Sequence, residues 1–211
     1  MISAAEALRR LQEGNRRFVA GQQELSTGVD ESKRRELVEG QAPFAIILGC
    51  SDSRVPAELV FDQGLGDLFV IRVAGNVVAP SQIGSIEFAA ECFGTPLVVV
   101  LGHSNCGAIQ ATLSELERPQ ENRSPNLRSI VDRIRPSVEP LLESVSEEDA
   151  KTLAARAGRA NIRASANQLR HGSQILEQLV GKGELLIVGA EYSLESGKVD
   201  FFEGMPDGSA G

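Results

Sequence analysis

Residues 97–107 read LVVVLGHSNCG, an uninterrupted apolar run that ends in a histidine and a cysteine. The apolar part, Leu97–Gly102, lacks polar alternation, which is typical of a strand buried on both faces of a parallel sheet. Similar runs occur at Phe44–Gly49, Leu68–Val73 and Leu185–Gly189. Helical patterns separate these runs, at residues 81–93, 106–117, 126–143 and 150–180. The alternation predicts an α/β fold, in which helices cover both faces of a mostly parallel central sheet of four strands.

The two ends of the chain add a helix and a fifth strand. Residues 3–20 predict an amphipathic helix whose narrow apolar stripe we expect to pack across a neighbour, such as another subunit. Residues 197–204, GKVDFFEG, alternate between polar and apolar side chains and predict an antiparallel strand at an edge of the sheet. We therefore expect a single domain over residues 1–203, with 3–20 as an N-terminal helical arm and 204–211 as a flexible tail.

Composition and charge argue against several classes of protein. The chain has 211 residues, 42% of them hydrophobic, which is enough for one domain with a substantial core. Its formal net charge of −8 disfavours nucleic acid and anionic membranes as partners. The apolar runs fall far short of the roughly 20 residues of a spanning helix, and the N-terminus lacks a signal-peptide pattern. We expect a cytoplasmic protein, in which three cysteines indicate metal binding or catalysis rather than disulfides.

Two of the predicted strands end in side chains that can bind a metal ion. Cys50 follows one strand directly, and His103 and Cys106 follow another. Sites in open α/β sheets lie at the carboxyl ends of the strands, so these three side chains converge if the strands are neighbours. Two thiolates and one imidazole suit Zn²⁺, and three protein ligands leave a fourth tetrahedral position open, as in catalytic zinc sites. A water molecule at that position loses a proton near neutral pH and becomes a nucleophile.

A purely structural interpretation competes with the metal site. Cysteine is often simply buried, and a histidine at a strand end is often only hydrogen-bonded. For Cys50 or His103 taken singly that interpretation is the better one, whereas their combination with Cys106 favours a metal site. Cys92 and His171 lie in helical patterns without ligand partners nearby in sequence. We interpret Cys92 as a structural, buried cysteine and His171 as a surface or packing residue.

Asp52 and Arg54 follow Cys50 at short spacing. A carboxylate beside zinc can accept a hydrogen bond from the bound water, and a guanidinium can orient that carboxylate and keep it ionised. The alternative is an ion pair that faces solvent. Their position next to a predicted ligand favours the catalytic interpretation.

The sequence CSDSR at 50–54, followed by HSNCG at 103–107, resembles the paired signature of the β-class carbonic anhydrases, in particular their plant-like type. The similarity extends over residues 3–203. It implies reversible hydration of carbon dioxide to bicarbonate and a proton by zinc-bound hydroxide. The residues that it assigns are Cys50, His103 and Cys106 as zinc ligands and Asp52 with Arg54 as the catalytic pair.

The resemblance also implies a substrate pocket. Gln41 matches a glutamine that can donate a hydrogen bond to substrate, Gly107 matches a glycine whose backbone N–H borders the site, and Phe69 matches an apolar wall. Phe88 stands where plant-type members usually carry tyrosine, so one polar pocket contact is in question. In the family a second subunit completes the pocket, which implies a homodimer or a dimer of dimers.

Two other functions remain open on the sequence. Hydrolysis of carbon disulfide or carbonyl sulfide could use the same scaffold, because those substrates are also small, linear and apolar. A noncatalytic regulatory protein could retain a zinc site, although it would have no need of the pair formed by Asp52 and Arg54.

We predict that Asp52 does not bind the zinc ion. Family members inhibited by bicarbonate use a Trp–Arg–Tyr trio. Arg72 and Tyr192 match two of its positions, but Ile47 replaces the tryptophan, and Gln41 belongs to the plant-like type. A crystal structure of the zinc-loaded protein near neutral pH checks this, and a carboxylate oxygen of Asp52 at bonding distance from zinc would contradict it.

Overall fold

The computed structural model describes residues 2–24, 31–118, 124–143 and 149–206. The helices in these ranges are α1 (Ala4–Ala20), α2 (Glu31–Glu36), α3 (Ala57–Val60), α4 (Pro80–Phe93), α5 (Gly107–Glu117), α6 (Pro125–Glu143), α7 (Ala150–His171) and α8 (Gln174–Gly181). The strands are β1 (Ala45–Gly49), β2 (Leu68–Arg72), β3 (Leu97–His103), β4 (Leu186–Tyr192) and β5 (Val199–Glu203). Short 3-10 turns occupy Leu37–Glu39 and Ala74–Asn76.

The five strands form one sheet in the order β2-β1-β3-β4-β5. The first four strands in this order are parallel, and β5 pairs antiparallel with β4 at the edge. The predicted fold class is therefore confirmed, including the antiparallel edge strand. The pairing of β1 with β3 brings Gly49 into register with Leu101, so these two strands end side by side.

Helices cover both faces of the sheet because alternate side chains of its inner strands point to opposite sides. Ile47 belongs to a core cluster with Leu11 of α1 and Phe61. Its neighbour Leu48 belongs to a different cluster, with Ile86 of α4 and residues of α7 and α8. Every residue of β1 and β3 is buried, as the unbroken apolar runs predict. Each fully buried aliphatic side chain contributes about 1.5–3 kcal/mol to stability.

Helix α7 packs on the sheet at two glycines of β3 and β4. A Cβ atom at Gly102 would lie 2.5 Å from Cδ1 of Ile162, and one at Gly189 would lie 2.7 Å from its Cγ2. Side chains at these two strand positions would therefore push the helix away. The two glycines set the distance at which α7 crosses β3 and β4.

The helical stretch predicted at 150–180 is divided, because the structure contains two helices there. Helix α7 ends at His171, and α8 begins after Ser173, whose Oγ accepts a hydrogen bond from the backbone N–H of Leu176. Serine favours this N-cap position because its side chain satisfies an amide that the helix leaves unpaired. The short helices α2 and α3 lie outside the predicted helical patterns.

The N-terminal helix α1 packs against the sheet of its own chain. Ala7, Leu8 and Leu11 are buried in the same core cluster as Ile47. No helix in the described ranges is both long enough and apolar enough to cross a membrane. Most of the predicted tail, residues 207–211, lies outside the described residues.

Asn15 joins α1 to two other parts of the fold. Its Nδ2 donates to the carbonyl oxygens of Val60 at 3.1 Å and Gly197 at 2.9 Å. Its Oδ1 accepts from the backbone N–H of Val199 at 2.9 Å, at the start of β5. The buried amide therefore ties the helix to the edge of the sheet through three hydrogen bonds.

We expect Asn15→Ala to lower the free energy of unfolding by about 2–3 kcal/mol, because it leaves backbone groups without partners in a largely buried region. Urea unfolding followed by circular dichroism measures the change. Gln22→Ala, at an exposed position just beyond α1, is the control and should leave stability unchanged. Equal stability of the Asn15 variant and the wild type would contradict this account.

Candidate metal centre

Cys50, His103 and Cys106 lie together at the carboxyl end of the sheet. Cys50 directly follows β1, His103 is the last residue of β3, and Cys106 precedes the first residue of α5. One potential ligand atom from each lies within 4.8 Å of those of the other two. The three residues are only 5%, 3% and 6% exposed, respectively. The structure thus brings the three predicted ligands into one buried group.

The loop from His103 to Cys106 lets both side chains face the same point. Asn105 has a φ of 54°, in the left-handed region that asparagine tolerates better than most residues, and this reverses the chain within one turn. The backbone N–H of Ser104 donates to the carbonyl of Tyr192 at 2.9 Å, and its Oγ accepts from the N–H of Leu194 at 3.0 Å. These two bonds hold the loop against the end of β4.

The imidazole of His103 has one nitrogen prepared for a metal ion. Its Nδ1 lies 2.9 Å from the carbonyl oxygen of Ser104, which can only accept, so Nδ1 carries the proton. Nε2 is then a bare acceptor, and it is buried without a hydrogen-bond partner among the described residues. A buried polar atom without a partner costs about 1–3 kcal/mol. A metal ion bound to Nε2 would remove that cost, and the carbonyl would fix the tautomer.

The two thiols share a hydrogen bond, and this makes one of them acidic. The hydrogen bond from Cys106 lowers the pKa of Cys50 to about 4 and outweighs the opposing effect of burial. The same hydrogen bond, together with burial, raises the pKa of Cys106. Both cysteines are free thiols. A metal ion would take the place of the proton between the two sulfurs.

Cys50 receives a further hydrogen bond from the main chain. The N–H of Gly75, in the 3-10 turn after β2, donates to its Sγ at 3.4 Å. Two sulfurs and one imidazole nitrogen at this spacing form a donor set suited to Zn²⁺. The residues present therefore fit a zinc ion.

Asp52 and Arg54 form a two-pronged ion pair beside this group. Oδ1 of Asp52 accepts from Nε of Arg54 at 2.9 Å and from its backbone N–H at 3.0 Å, while Oδ2 accepts from Nη2 at 2.7 Å. Chiefly because of these bonds, the pKa of Asp52 lies well below its usual range. Oδ2 also lies 3.8 Å from Nε2 of His103, so the carboxylate borders the candidate zinc site. The Arg54 side chain is 54% exposed, so the pair has one side in solvent.

Arg72 supports the same loop from the neighbouring strand. Its Nε donates to the carbonyl oxygen of Cys50 at 3.0 Å, and its Nη2 donates to that of Asp52 at 2.5 Å. Arg72 is the last residue of β2 and pairs with Gly49. Its position beside Cys50 could therefore have been predicted from the parallel pairing of the two strands. Tyr192, which the resemblance groups with Arg72, packs in the core with its ring centroid 6.3 Å from that of Phe18.

Of the predicted pocket residues, only Gly107 lies at the metal centre. Gly107 is the first residue of α5, immediately after Cys106, and lies at the metal centre. Gln41 lines an open groove with Leu65 at the opposite end of β1. Phe69 pairs with Ile46, four residues before Cys50.

Phe69 and Phe88 belong to an aromatic cluster with Phe93 on β2 and α4. The centroid of the Phe69 ring lies 6.4 Å from that of Phe88 and 6.2 Å from that of Phe93. Phe88 is 52% exposed. Within one chain, the structure therefore does not bring Gln41, Phe69 or Phe88 to the three predicted ligands.

The other cysteine and histidine lie away from the metal centre. Cys92 is exposed on α4. His171 ends α7 at the surface, where its Nδ1 lies 3.3 Å from Oε1 of Glu177. The position of His171 agrees with its interpretation as a surface or packing residue, whereas Cys92 is exposed rather than buried.

Comparisons with known proteins agree with this centre. Residues 45–199 match a protein-family model described as carbonic anhydrase. A carbonic anhydrase of Mycolicibacterium smegmatis is 41% identical over 199 residues, which cover 92% of this chain and 91% of that protein.

Solved structures of β-carbonic anhydrases share the fold. The β-carbonic anhydrase CcaA superposes with a TM-score of 0.74 at 26% identity, covering 96% of this chain and 94% of that one. One of two tetrameric β-carbonic anhydrases from the ascomycete Sordaria macrospora superposes with a TM-score of 0.69 at 23% identity, covering 80% and 85%. The sequence match over nearly the whole chain and the shared fold lead to one conclusion: this protein belongs to the β-class carbonic anhydrase family.

Proposed function

We propose that the protein catalyses the reversible hydration of carbon dioxide to bicarbonate and a proton. The observation that carries this proposal is the buried group of Cys50, His103 and Cys106. Nε2 of His103 has no hydrogen-bond partner in the described part of the chain and lies 3.8 Å from Oδ2 of Asp52. The relative from Mycolicibacterium smegmatis supports it, since that protein is named a carbonic anhydrase. The same name favours carbon dioxide over carbon disulfide or carbonyl sulfide as the substrate.

Zn²⁺ would be held by Sγ of Cys50, Nε2 of His103 and Sγ of Cys106. Bound there, zinc supplies the Lewis acidity that lets water ionise near neutral pH. The chain prepares this site in two ways. The carbonyl of Ser104 fixes the His103 tautomer, and the hydrogen bond between the thiols already favours one thiolate.

Asp52 and Arg54 would orient the reacting water. Asp52 is ionised and so can only accept hydrogen bonds, which makes its Oδ2 a suitable acceptor for a proton of the nucleophile. Arg54 engages both carboxylate oxygens and thereby restrains their rotation. Arg72 holds the loop on which Asp52 lies. A noncatalytic zinc protein would not require such a carboxylate beside its ligands.

A second copy of the chain would complete the substrate pocket. Gln41, Phe69 and Phe88 lie outside the metal group of their own chain, and Phe69 lies on β2, an edge strand with no neighbour on its outer side among the described strands. We therefore assign these three residues, together with Gly107, to a pocket formed between subunits of a homodimer or a dimer of dimers. The tetrameric enzyme of Sordaria macrospora supports an assembly of this kind.

The cell interior is the proposed location. Cys50 and Cys106 must remain reduced to bind zinc, and the cytoplasm maintains free thiols. The proposed functional unit of each chain is the single domain of residues 1–203. Carbon dioxide and bicarbonate are the expected small-molecule partners, and the net charge of −8 disfavours nucleic acid and anionic membranes.

Carbon dioxide hydration should require both zinc and Asp52. In stopped flow with a pH indicator, we expect the zinc-loaded protein to accelerate hydration and the chelator-treated protein to lose that activity until zinc is restored. Asp52→Asn keeps the shape of the side chain but removes its charge, so we expect kcat to fall by about 100-fold.

Asp132→Asn is the matched control for this charge change. Asp132 faces Arg135 at 3.7 Å on the surface of α6, so its substitution should leave the hydration rate unchanged. A zinc-loaded wild-type protein that does not accelerate hydration would reject the proposed function. An equal loss of kcat in Asp52→Asn and Asp132→Asn would reject the role of Asp52.

The assembly should depend on the aromatic cluster of Phe69, Phe88 and Phe93. By size-exclusion chromatography with light scattering, we expect a mass of at least twice the 22.5 kDa of one chain. Phe88→Arg places a charge on this apolar surface and should shift the mass towards 22.5 kDa. Leu127→Arg is the control, because Leu127 is also exposed and apolar but lies on α6; its mass should equal that of the wild type. A monomeric wild type would contradict the pocket between subunits.

A further inference from the structure

The 3-10 turn Ala74–Asn76 contacts Sγ of Cys50, one of the predicted ligand atoms. Its Gly75 N–H donates to Sγ of Cys50 at 3.4 Å. Gly75 and Asn76 both have positive φ, at 69° and 44°. The left-handed region is unfavourable for most residues, although asparagine tolerates it better than others. The turn therefore needs support from the rest of the fold to keep its N–H on the sulfur.

Two buried side chains of α7 provide this support. Nδ2 of Asn161 donates to the carbonyl oxygen of Gly75 at 2.8 Å, and Oγ of Ser165 donates to that of Asn76 at 3.1 Å. Asn161 is 2% exposed. An amide buried this deeply is costly unless it is hydrogen-bonded, so its bond to the turn accounts for a polar residue on the inner face of α7.

Close packing restrains the turn from its other sides. A Cβ atom at Gly75 would lie 2.8 Å from Cδ1 of Ile134 on α6 and 3.0 Å from Cβ of Ala108 on α5. The position therefore accepts only glycine. Glycine has no Cβ atom to restrict φ and ψ, so contacts around the turn hold its conformation, among them the hydrogen bond from Asn161 to the Gly75 carbonyl.

We propose that Asn161 is a positioning residue for the metal centre, which holds Gly75 so that its N–H remains directed at the Cys50 sulfur. The inference rests on the zinc site proposed above. Asn161 contacts neither substrate nor metal and acts only through the glycine. An N–H donated to a ligand sulfur fixes the direction of that ligand, and loss of such a supporting partner typically weakens metal affinity about 10–100-fold.

The affinity of the metal-free protein for Zn²⁺, measured by chelator competition, tests the proposal. We expect Asn161→Ala to bind zinc about 10–100-fold more weakly than the wild type. Asn15→Ala is the matched control, because it removes a buried asparagine that also donates to main-chain carbonyls, but at α1 and the sheet edge. Its zinc affinity should stay within about threefold of the wild type, since effects of distant sites are independent.

A spectroscopic readout separates positioning from a general loss of stability. In the Co²⁺-substituted protein, the thiolate-to-cobalt charge-transfer absorption reports the cysteine sulfurs directly. We expect this absorption to change in Asn161→Ala and to remain unchanged in Asn15→Ala, even though both substitutions lower the unfolding free energy. Asn161→Ser leaves a polar group near the Gly75 carbonyl, and it provides a folded protein for both measurements should the alanine variant not fold.

The outcomes separate this inference from the proposed function. If the wild type binds zinc and the Asn161 variants bind it equally well with unchanged cobalt absorption, the positioning role is overturned and the zinc site stands. Equal weakening in the Asn15 variant would also overturn it, because the effect would then follow stability. A wild type that does not bind zinc overturns both the proposed metal site and the role of Asn161.

Discussion

The parallel pairing of β1 with β3 is the constraint on which the site depends. Because the two strands are neighbours and run in the same direction, Cys50 and His103 emerge at the same edge of the sheet. Cys106 follows directly after Asn105, the residue with positive φ, and lies just before α5.

Around this pairing, main-chain groups form many of the hydrogen bonds that hold the candidate metal centre. Carbonyl oxygens fix the histidine tautomer and receive Arg72, and an amide supports the Cys50 sulfur. Charged side chains lie where the centre meets solvent, at Asp52, Arg54 and Arg72. The two predicted cysteine ligands thus lie in an apolar cluster, and the ionised groups lie where water and substrate can arrive.

Much of this arrangement can be predicted from the sequence because its signals are local. Continuous apolar runs indicate buried parallel strands, and the residues that follow them indicate the ligands. The break between α7 and α8 is harder to predict, since apolar periodicity continues on both sides of Gly172 and Ser173. The role of Asn161 is not visible at all without the structure, because a lone asparagine in a helix does not reveal which turn lies opposite. Gln41 illustrates a different limit, since one chain alone does not show which residues a second copy would bring to the proposed pocket between subunits.

The close approach of α7 to the sheet restricts how relatives of this protein can diverge. Ile162 fills the space above both Gly102 and Gly189. A larger residue on either strand needs space that the Ile162 side chain now fills, and at Gly189 the side chain of Glu203 must move as well. These three positions should therefore co-vary across the family, and substitutions at them should be inherited as a set rather than one at a time.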